Sequence, residues 1–261
     1  LMPNLHELTL GENELKMILP REFQKNLFHK LKILTLFFHI ESNVFLEHVP
    51  NIQKLVVSDG SFKEIFCIPK LKVLCLEPLG ELISIGLENS WIEPFQRNLE
   101  TLEVMSCFSS INLVPHTVSF SNMTYLEISS CNSLLYLFTS STATSLVQLK
   151  IMEIKCCNSI EEIVSKEGGE SHEDEIVFQQ LNCLNLCELQ NLKSFYKGSL
   201  SLPSLEQLSI TGCNRMETLC PGTVKADNLF EVKLQKETMA ITLEIDLNTT
   251  MRKEFQTRVR V

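Results

Sequence analysis

One apolar pattern, L-x-x-L-x-L with Ile, Val or Met admitted at the apolar places, returns ten times along this chain and leaves few folds open to it. Its three positions are Leu5, Leu8 and Leu10; Leu31, Leu34 and Leu36; Ile52, Leu55 and Val57; Leu71, Leu74 and Leu76; Leu99, Leu102 and Val104. They continue as Met123, Leu126 and Ile128; Leu149, Met152 and Ile154; Leu181, Leu184 and Leu186; Leu205, Leu208 and Ile210; Leu229, Val232 and Leu234. First positions are 19 to 32 residues apart, about 25 on average. The second and third apolar positions lie two apart, so they share one face of a strand while the residue between them points to the other. A single strand cannot bury that face. Stacking each unit on the next at about 4.8 Å pairs the strands in parallel and makes the apolar columns continuous.

Eight residues beyond each first position the chain carries Asn13, His39, Gly60, Leu79, Cys107, Cys131, Cys157, Leu189, Cys213 and Glu237, with cysteine at four of the ten. Asn or Cys is the residue expected where a leucine-rich repeat turns inward after its strand, so these cysteines read as small buried hydrophobes forming a ladder. Apolar pairs follow at Leu134 and Leu137, Ile160 and Ile163, Leu192 and Phe195, and Met216 and Leu219, a spacing that predicts helical or 3₁₀ turns on the outer side. The expected fold is an α/β leucine-rich-repeat solenoid, a horseshoe with a parallel sheet on its concave face and irregular turns and short helices on its convex face. The solenoid is expected over residues 1–235. Residues 236–261 form a tail in which Leu247, Met251 and Phe255, after a polar start at Asn248, predict a short amphipathic capping helix. The first unit lacks a polar outer face, so further residues are expected upstream of Leu1. The longest unit holds the acidic run Glu167, Glu170, Glu173, Asp174 and Glu175, which reads as a solvated loop.

Composition narrows the function. A net charge of -9 argues against a nucleic-acid surface, which needs clustered Lys and Arg to displace counterions, and favours a basic partner over an acidic one. The ten cysteines are not packed into the dense framework of a small secreted domain, and LMPNLHEL has no basic start, apolar core and cleavage site. A reducing, cytoplasmic setting fits both. Residues 104–126 and 128–149 lack Asp, Glu, Lys and Arg, but the second is half Ser, Thr, Asn and Gln, so neither reads as a membrane span. Sequons at Asn122 and Asn248 read as incidental.

No catalytic or metal motif accompanies the repeat. Cys156 and Cys157 are adjacent, and Cys183 and Cys187, separated by three residues, have no second pair at zinc-site spacing. Stacked cysteines pointing in parallel rarely meet the torsion that a disulfide requires. The six histidines form no H-E-x-x-H, no serine stands in G-x-S-x-G, and no G-x-x-x-x-G-K-[ST] phosphate cradle is present. The chain therefore reads as non-catalytic, with no cofactor and no metal.

A different column draws attention. The residue between the last two apolar positions of each unit reads Thr9, Thr35, Val56, Cys75, Glu103, Glu127, Glu153, Asn185, Ser209 and Lys233. Like charges on neighbouring strands repel, so three aligned glutamates cost stability unless a partner or a cation such as Lys155 offsets them. Glu103, Glu127 and Glu153, with Tyr125 beside them, are the expected protein-interaction site, an acidic stripe for a basic surface. Phe37, with Phe38, is expected to add an apolar patch on the early units.

Three stretches carry a family likeness. FQQLNCLNLCELQNLKSF, SLPSLEQLSITGCNRMETLCPG and DLNTTMRKEFQ resemble successive parts of the leucine-rich region of plant coiled-coil nucleotide-binding immune receptors. The resemblance covers mainly residues 99 to 261 and is looser in the first four units. It implies a cytoplasmic module that senses pathogen effectors or modified host proteins and restrains a nucleotide-binding core, with protein partners and neither nucleic acid nor membrane. The alternative is the substrate-recruiting repeat domain of a ubiquitin-ligase adaptor. A secreted receptor ectodomain is disfavoured because its L-x-G-x-I-P signature is absent.

Overall fold

The computed structural model describes residues 4–11, 13–14, 28–37, 49–58, 68–79, 97–107, 119–166, 174–234, 237–240 and 247–256. In chain order the strands are β1 (Glu7–Gly11), β2 (Ile33–Phe37), β3 (Lys54–Ser58), β4 (Val73–Leu76), β5 (Thr101–Met105), β6 (Tyr125–Ser129), β7 (Phe138–Thr139) and β8 (Ile151–Lys155). They continue as β9 (Val164–Ser165), β10 (Glu175–Val177), β11 (Cys183–Cys187), β12 (Ser199–Ser201), β13 (Gln207–Thr211), β14 (Val224–Lys225), β15 (Glu231–Leu234) and β16 (Glu237–Ala240). Two helices are described, α1 (Ser140–Ser145) and α2 (Leu247–Gln256).

The ten hexads each form one strand, and the ten strands lie side by side in parallel in the order β1-β2-β3-β4-β5-β6-β8-β11-β13-β15. Register follows the repeat without slippage: Leu102 pairs with Leu126, Leu126 with Met152, Met152 with Leu184 and Leu184 with Leu208. All five side chains are buried, as are Leu99, Met123, Leu149, Leu181 and Leu205 three residues earlier in the same units. A one-residue slip would turn each of these columns to solvent, which is why the pattern specifies the register so firmly.

Strands β5, β6, β8, β11 and β13 each end in the same sharp bend. Ser106, Ser130, Cys156, Glu188 and Gly212 all take a left-handed backbone, φ between 54° and 67°. The bend turns the chain inward and drops the next residue, Cys107, Cys131, Cys157, Leu189 or Cys213, into the core at 0–1% exposure. The amides at the bend stay paired, with Ser130 donating to Lys155 O at 2.9 Å and Glu188 to Thr211 O at 2.8 Å in the following unit.

The convex pairs Leu134/Leu137, Ile160/Ile163, Leu192/Phe195 and Met216/Leu219 are buried, but the backbone between them is extended or turning rather than helical. Their amides are satisfied by neighbouring units, as in Glu161 N to Leu135 O at 3.0 Å and Phe195 N to Leu219 O at 2.7 Å, which an intra-unit helix would forbid. Short parallel ladders result, β7 with β9 and β10-β12-β14, with α1 following β7 on the same side. Thr139 caps α1 through its side chain.

At the far end β16 pairs antiparallel with β15, an edge the repeat pattern does not foresee. The expected helix after it is α2, and its Leu247 and Met251 are buried. Buried Asn248 donates to Cys220 O at 3.0 Å and Gly222 O at 3.1 Å, so this sequon asparagine is a structural tie. Among the described residues no helix is long and apolar enough to cross a membrane.

Candidate protein-interaction face

The residues between the buried columns stand on the concave face, and register brings the three glutamates together: Glu103 pairs with Glu127 and Glu127 with Glu153. Each side chain is half-buried on the floor of the sheet. The Lys155 ammonium, at the end of β8, donates to Glu127 Oε1 at 3.0 Å and also to Glu153 Oε2. Tyr125 OH donates to Glu127 Oε2 at 2.8 Å, and the Cys75 thiol donates to Glu103 Oε2 at 3.1 Å. Glu127 and Glu153 thus share one ammonium while Glu103 has only a neutral thiol donor, leaving a net negative stripe.

The electrostatics follow from these contacts. Burial works to raise the Glu127 carboxyl, but the Tyr125 hydroxyl and Lys155 together hold it below its ordinary range. Hydrogen bonds to Glu153 and Glu127 keep the Lys155 ammonium charged above its ordinary range, against partial burial. Burial first, and then the bond to Glu103, push the Cys75 thiol up to about 12, so it stays a neutral donor. Tyr125 is raised for the same two reasons, burial and its bond to Glu127.

Tyr125 does not stand alone. Ile151 and Cys183 are its partners across β8 and β11, so a half-buried apolar row runs beside the acidic one. Phe37 is exposed at 49%, but it lies on β2, with β3 and β4 between it and the stripe on β5. The structure therefore does not join Phe37 to the glutamates. Phe38, His39, Gly60, Glu167, Glu170 and Glu173 lie outside the described residues. Of the acidic run, Glu175 is ion-paired with Lys225 at 2.8 Å and Asp174 with Lys166 at 3.9 Å, so its end is tied down rather than freely solvated.

The cysteines divide into two kinds. The ladder thiols of Cys107, Cys131, Cys157 and Cys213 face main-chain oxygens, for example Cys131 Sγ to Ser129 O at 3.3 Å and Cys213 Sγ to Leu186 O at 3.7 Å. Contact with Cys131 and burial push Cys107 and Cys157 up and keep them as neutral thiols. Cys156 is exposed at its bend, and Cys183 and Cys187 are half-buried on the concave face. Among the described residues, no three His, Cys, Asp or Glu side chains come together as a metal-ligand set.

A second ladder escaped the hexad reading. The residue just before the first apolar position donates its side chain to the preceding unit: Asn51 to His29 O at 2.8 Å, Asn98 to Pro69 O at 2.7 Å, Asn122 to Arg97 O, Ser204 to Gln179 O at 2.7 Å and Asn228 to Pro203 O at 2.6 Å. Its signal was in plain sight as Asn at 4, 51, 98, 122 and 228, always one residue ahead of the hexad.

Comparison with known proteins places this geometry in a family. The model for "plant disease resistance protein RPS2-like, leucine-rich repeats" matches residues 4–158 and 112–236. Disease resistance protein RPS5 of Arabidopsis thaliana is 28% identical over 219 residues, which is 83% of this chain and 23% of that protein. Disease resistance protein SUMM2 of the same plant is 30% identical over 143 residues, 54% of this chain and 16% of that protein. The chain thus spans less than a quarter of the length of these relatives. The leucine-rich repeat domain of the type III effector XopL shares the fold, with a TM-score of 0.53 at 14% identity over 88% of this chain and 76% of that one.

Proposed function

The chain belongs to the RPS2-like leucine-rich-repeat family of plant disease resistance proteins, and from that premise we propose that it is the non-catalytic sensing and protein-interaction part of an intracellular immune receptor. The observation that carries the reading is the in-register column Glu103-Glu127-Glu153 on the floor of the concave face, flanked by Tyr125 and Ile151. Its net negative charge and adjacent apolar row suit a basic surface of a pathogen effector or of a host protein, with Phe37 as a separate apolar contact three strands away. Half-burial preorganises the carboxylates, so a cationic partner meets groups already held in place.

The mechanism is differential binding. One state of the receptor, with the nucleotide-binding core restrained against the repeat stack, is favoured until a ligand binds the other state more tightly; the shift can be no larger than that difference in affinity. In this scheme residues 1–235 form the sensing stack, and 236–261 close its end.

The test is charge reversal. Glu127→Lys with Glu153→Lys, introduced into a full-length receptor carrying this region, is expected to abolish its response to a basic ligand while leaving nucleotide binding by the core intact. In the isolated chain the same pair should weaken binding of an arginine-rich peptide by about tenfold or more. An unchanged response and unchanged peptide affinity would sink the assignment of the stripe.

A further inference from the structure

Five lysines crowd one rim of the sheet in the second, third and fourth units: Lys30, Lys32, Lys54, Lys70 and Lys72. Main-chain pairing sets their places. Lys54 N donates to Lys32 O at 3.0 Å and Lys72 N to Gln53 O at 2.8 Å, so Lys32, Gln53 and Lys72 follow one another along the stack, with Lys54 between Ile33 and Val73 on the concave face. Lys30, Asn51 and Lys70 form a second row beside them.

Two of the ammonium groups are held by neutral amides. Lys30 Nζ donates to Asn4 Oδ1 at 2.8 Å and Lys70 Nζ to Asn51 Oδ1 at 2.5 Å. The Asn51 amide nitrogen is itself engaged by His29 O, which aims its oxygen at the lysine. An amide oxygen fixes an ammonium without cancelling its charge. Among the described residues Lys72 is the one of the five in an ion pair, with Glu100 at 2.6 Å, and both side chains there are about half exposed. The backbone positions of these lysines span three adjacent strands, roughly 10 Å, on a chain whose net charge is -9. Such segregation raises the energy of the free surface through mutual repulsion and lowers it when an anion covers the rim.

We propose that this lysine rim is a second interaction surface, distinct from the acidic stripe, on which a short acidic segment of a partner protein docks with carboxylates meeting Lys30 and Lys70. The patch is too short for a long polyanion. One strand beyond Lys72 stands Glu103, and the glutamate column that follows would repel a phosphate backbone continuing along the stack. A few carboxylates fit where a nucleic acid does not.

The test uses the whole chain and a fluorescein-labelled peptide of alternating Glu and Gly, read by anisotropy at low and physiological ionic strength. Lys30→Gln with Lys70→Gln is expected to weaken binding about tenfold or more, and Asn51→Ala, which changes no charge, about threefold. Lys150→Gln, an exposed lysine far along the stack, should leave binding unchanged. Circular dichroism and the melting temperature establish that each variant is folded. The proposal is overturned if Lys150→Gln weakens binding as much as the double variant, or if Asn51→Ala has no effect. It is equally overturned if single-stranded DNA or phosphatidylserine vesicles bind more tightly than the peptide through the same lysines.

Discussion

A cysteine at the inward bend acts by being small, apolar and able to donate a weak hydrogen bond, so its reactivity should be low wherever the ladder buries it. Iodoacetamide applied to the native chain is expected to label Cys156 first and to spare Cys107, Cys131, Cys157 and Cys213 until denaturant is added, as read by peptide mass spectrometry. The bend residue itself carries backbone strain. Ser106, Ser130, Cys156 and Glu188 tolerate a left-handed backbone that Gly212 adopts freely at φ 67°, where any side chain is strained even though the exposed Glu188 carboxylate beside it can move aside. Gly212→Ala should therefore destabilise the chain by about 1–2 kcal/mol in urea unfolding. Lys155 supplies a pH signature. Glu127 is depressed below its ordinary 4.5, so the stability it contributes is complete above that value and is lost as pH falls through the lower one. Lys155 is raised above 10.5, so its contribution is complete below that value and is lost as pH rises through the higher one. Lys155→Met should cost about 0.5–1 kcal/mol near neutral pH and little once the carboxylates are protonated, a contrast that unfolding at the two pH values would reveal.

At the scale of elements, the end of the stack shows how a repeat is stopped. β16 turns back on β15, and α2 lays Leu247 and Met251 onto the last turns while Asn248 holds the carbonyls of Cys220 and Gly222. Removing that amide leaves two carbonyls to find other donors. Asn248→Ala is expected to cost about 1–3 kcal/mol, with amide hydrogen exchange accelerating in 247–256 before it does in β11 or β13. Equal acceleration throughout would mean that α2 is not held separately.

Among the described residues the stack is quasi-one-dimensional, because each of its main parallel strands pairs only with those of the preceding and following units. Leu126 is fully buried between Leu102 and Met152, and Leu126→Ala should lower stability by about 2–5 kcal/mol. The loss of exchange protection is expected to centre on β5, β6 and β8 and to fade toward β15. A uniform loss would show that the stack unfolds as one cooperative block.

The hexad spacing by itself determined the strands, their parallel order, their register, the buried columns and the alignment of Glu103, Glu127 and Glu153, because side-chain period and unit length are local properties of the chain. Cysteine at the eighth place similarly announced a buried ladder. The sequence could not say that Lys155 would bridge two glutamates, that the Cys75 thiol would turn to Glu103, or that Phe37 would stand three strands from the stripe. Nor could the spacing of the convex pairs distinguish a helical turn from an extended one, since the deciding hydrogen bonds run between units 24 to 32 residues apart. Those features depend on which side chains the stacking brings within reach, and only the tertiary structure sets that distance.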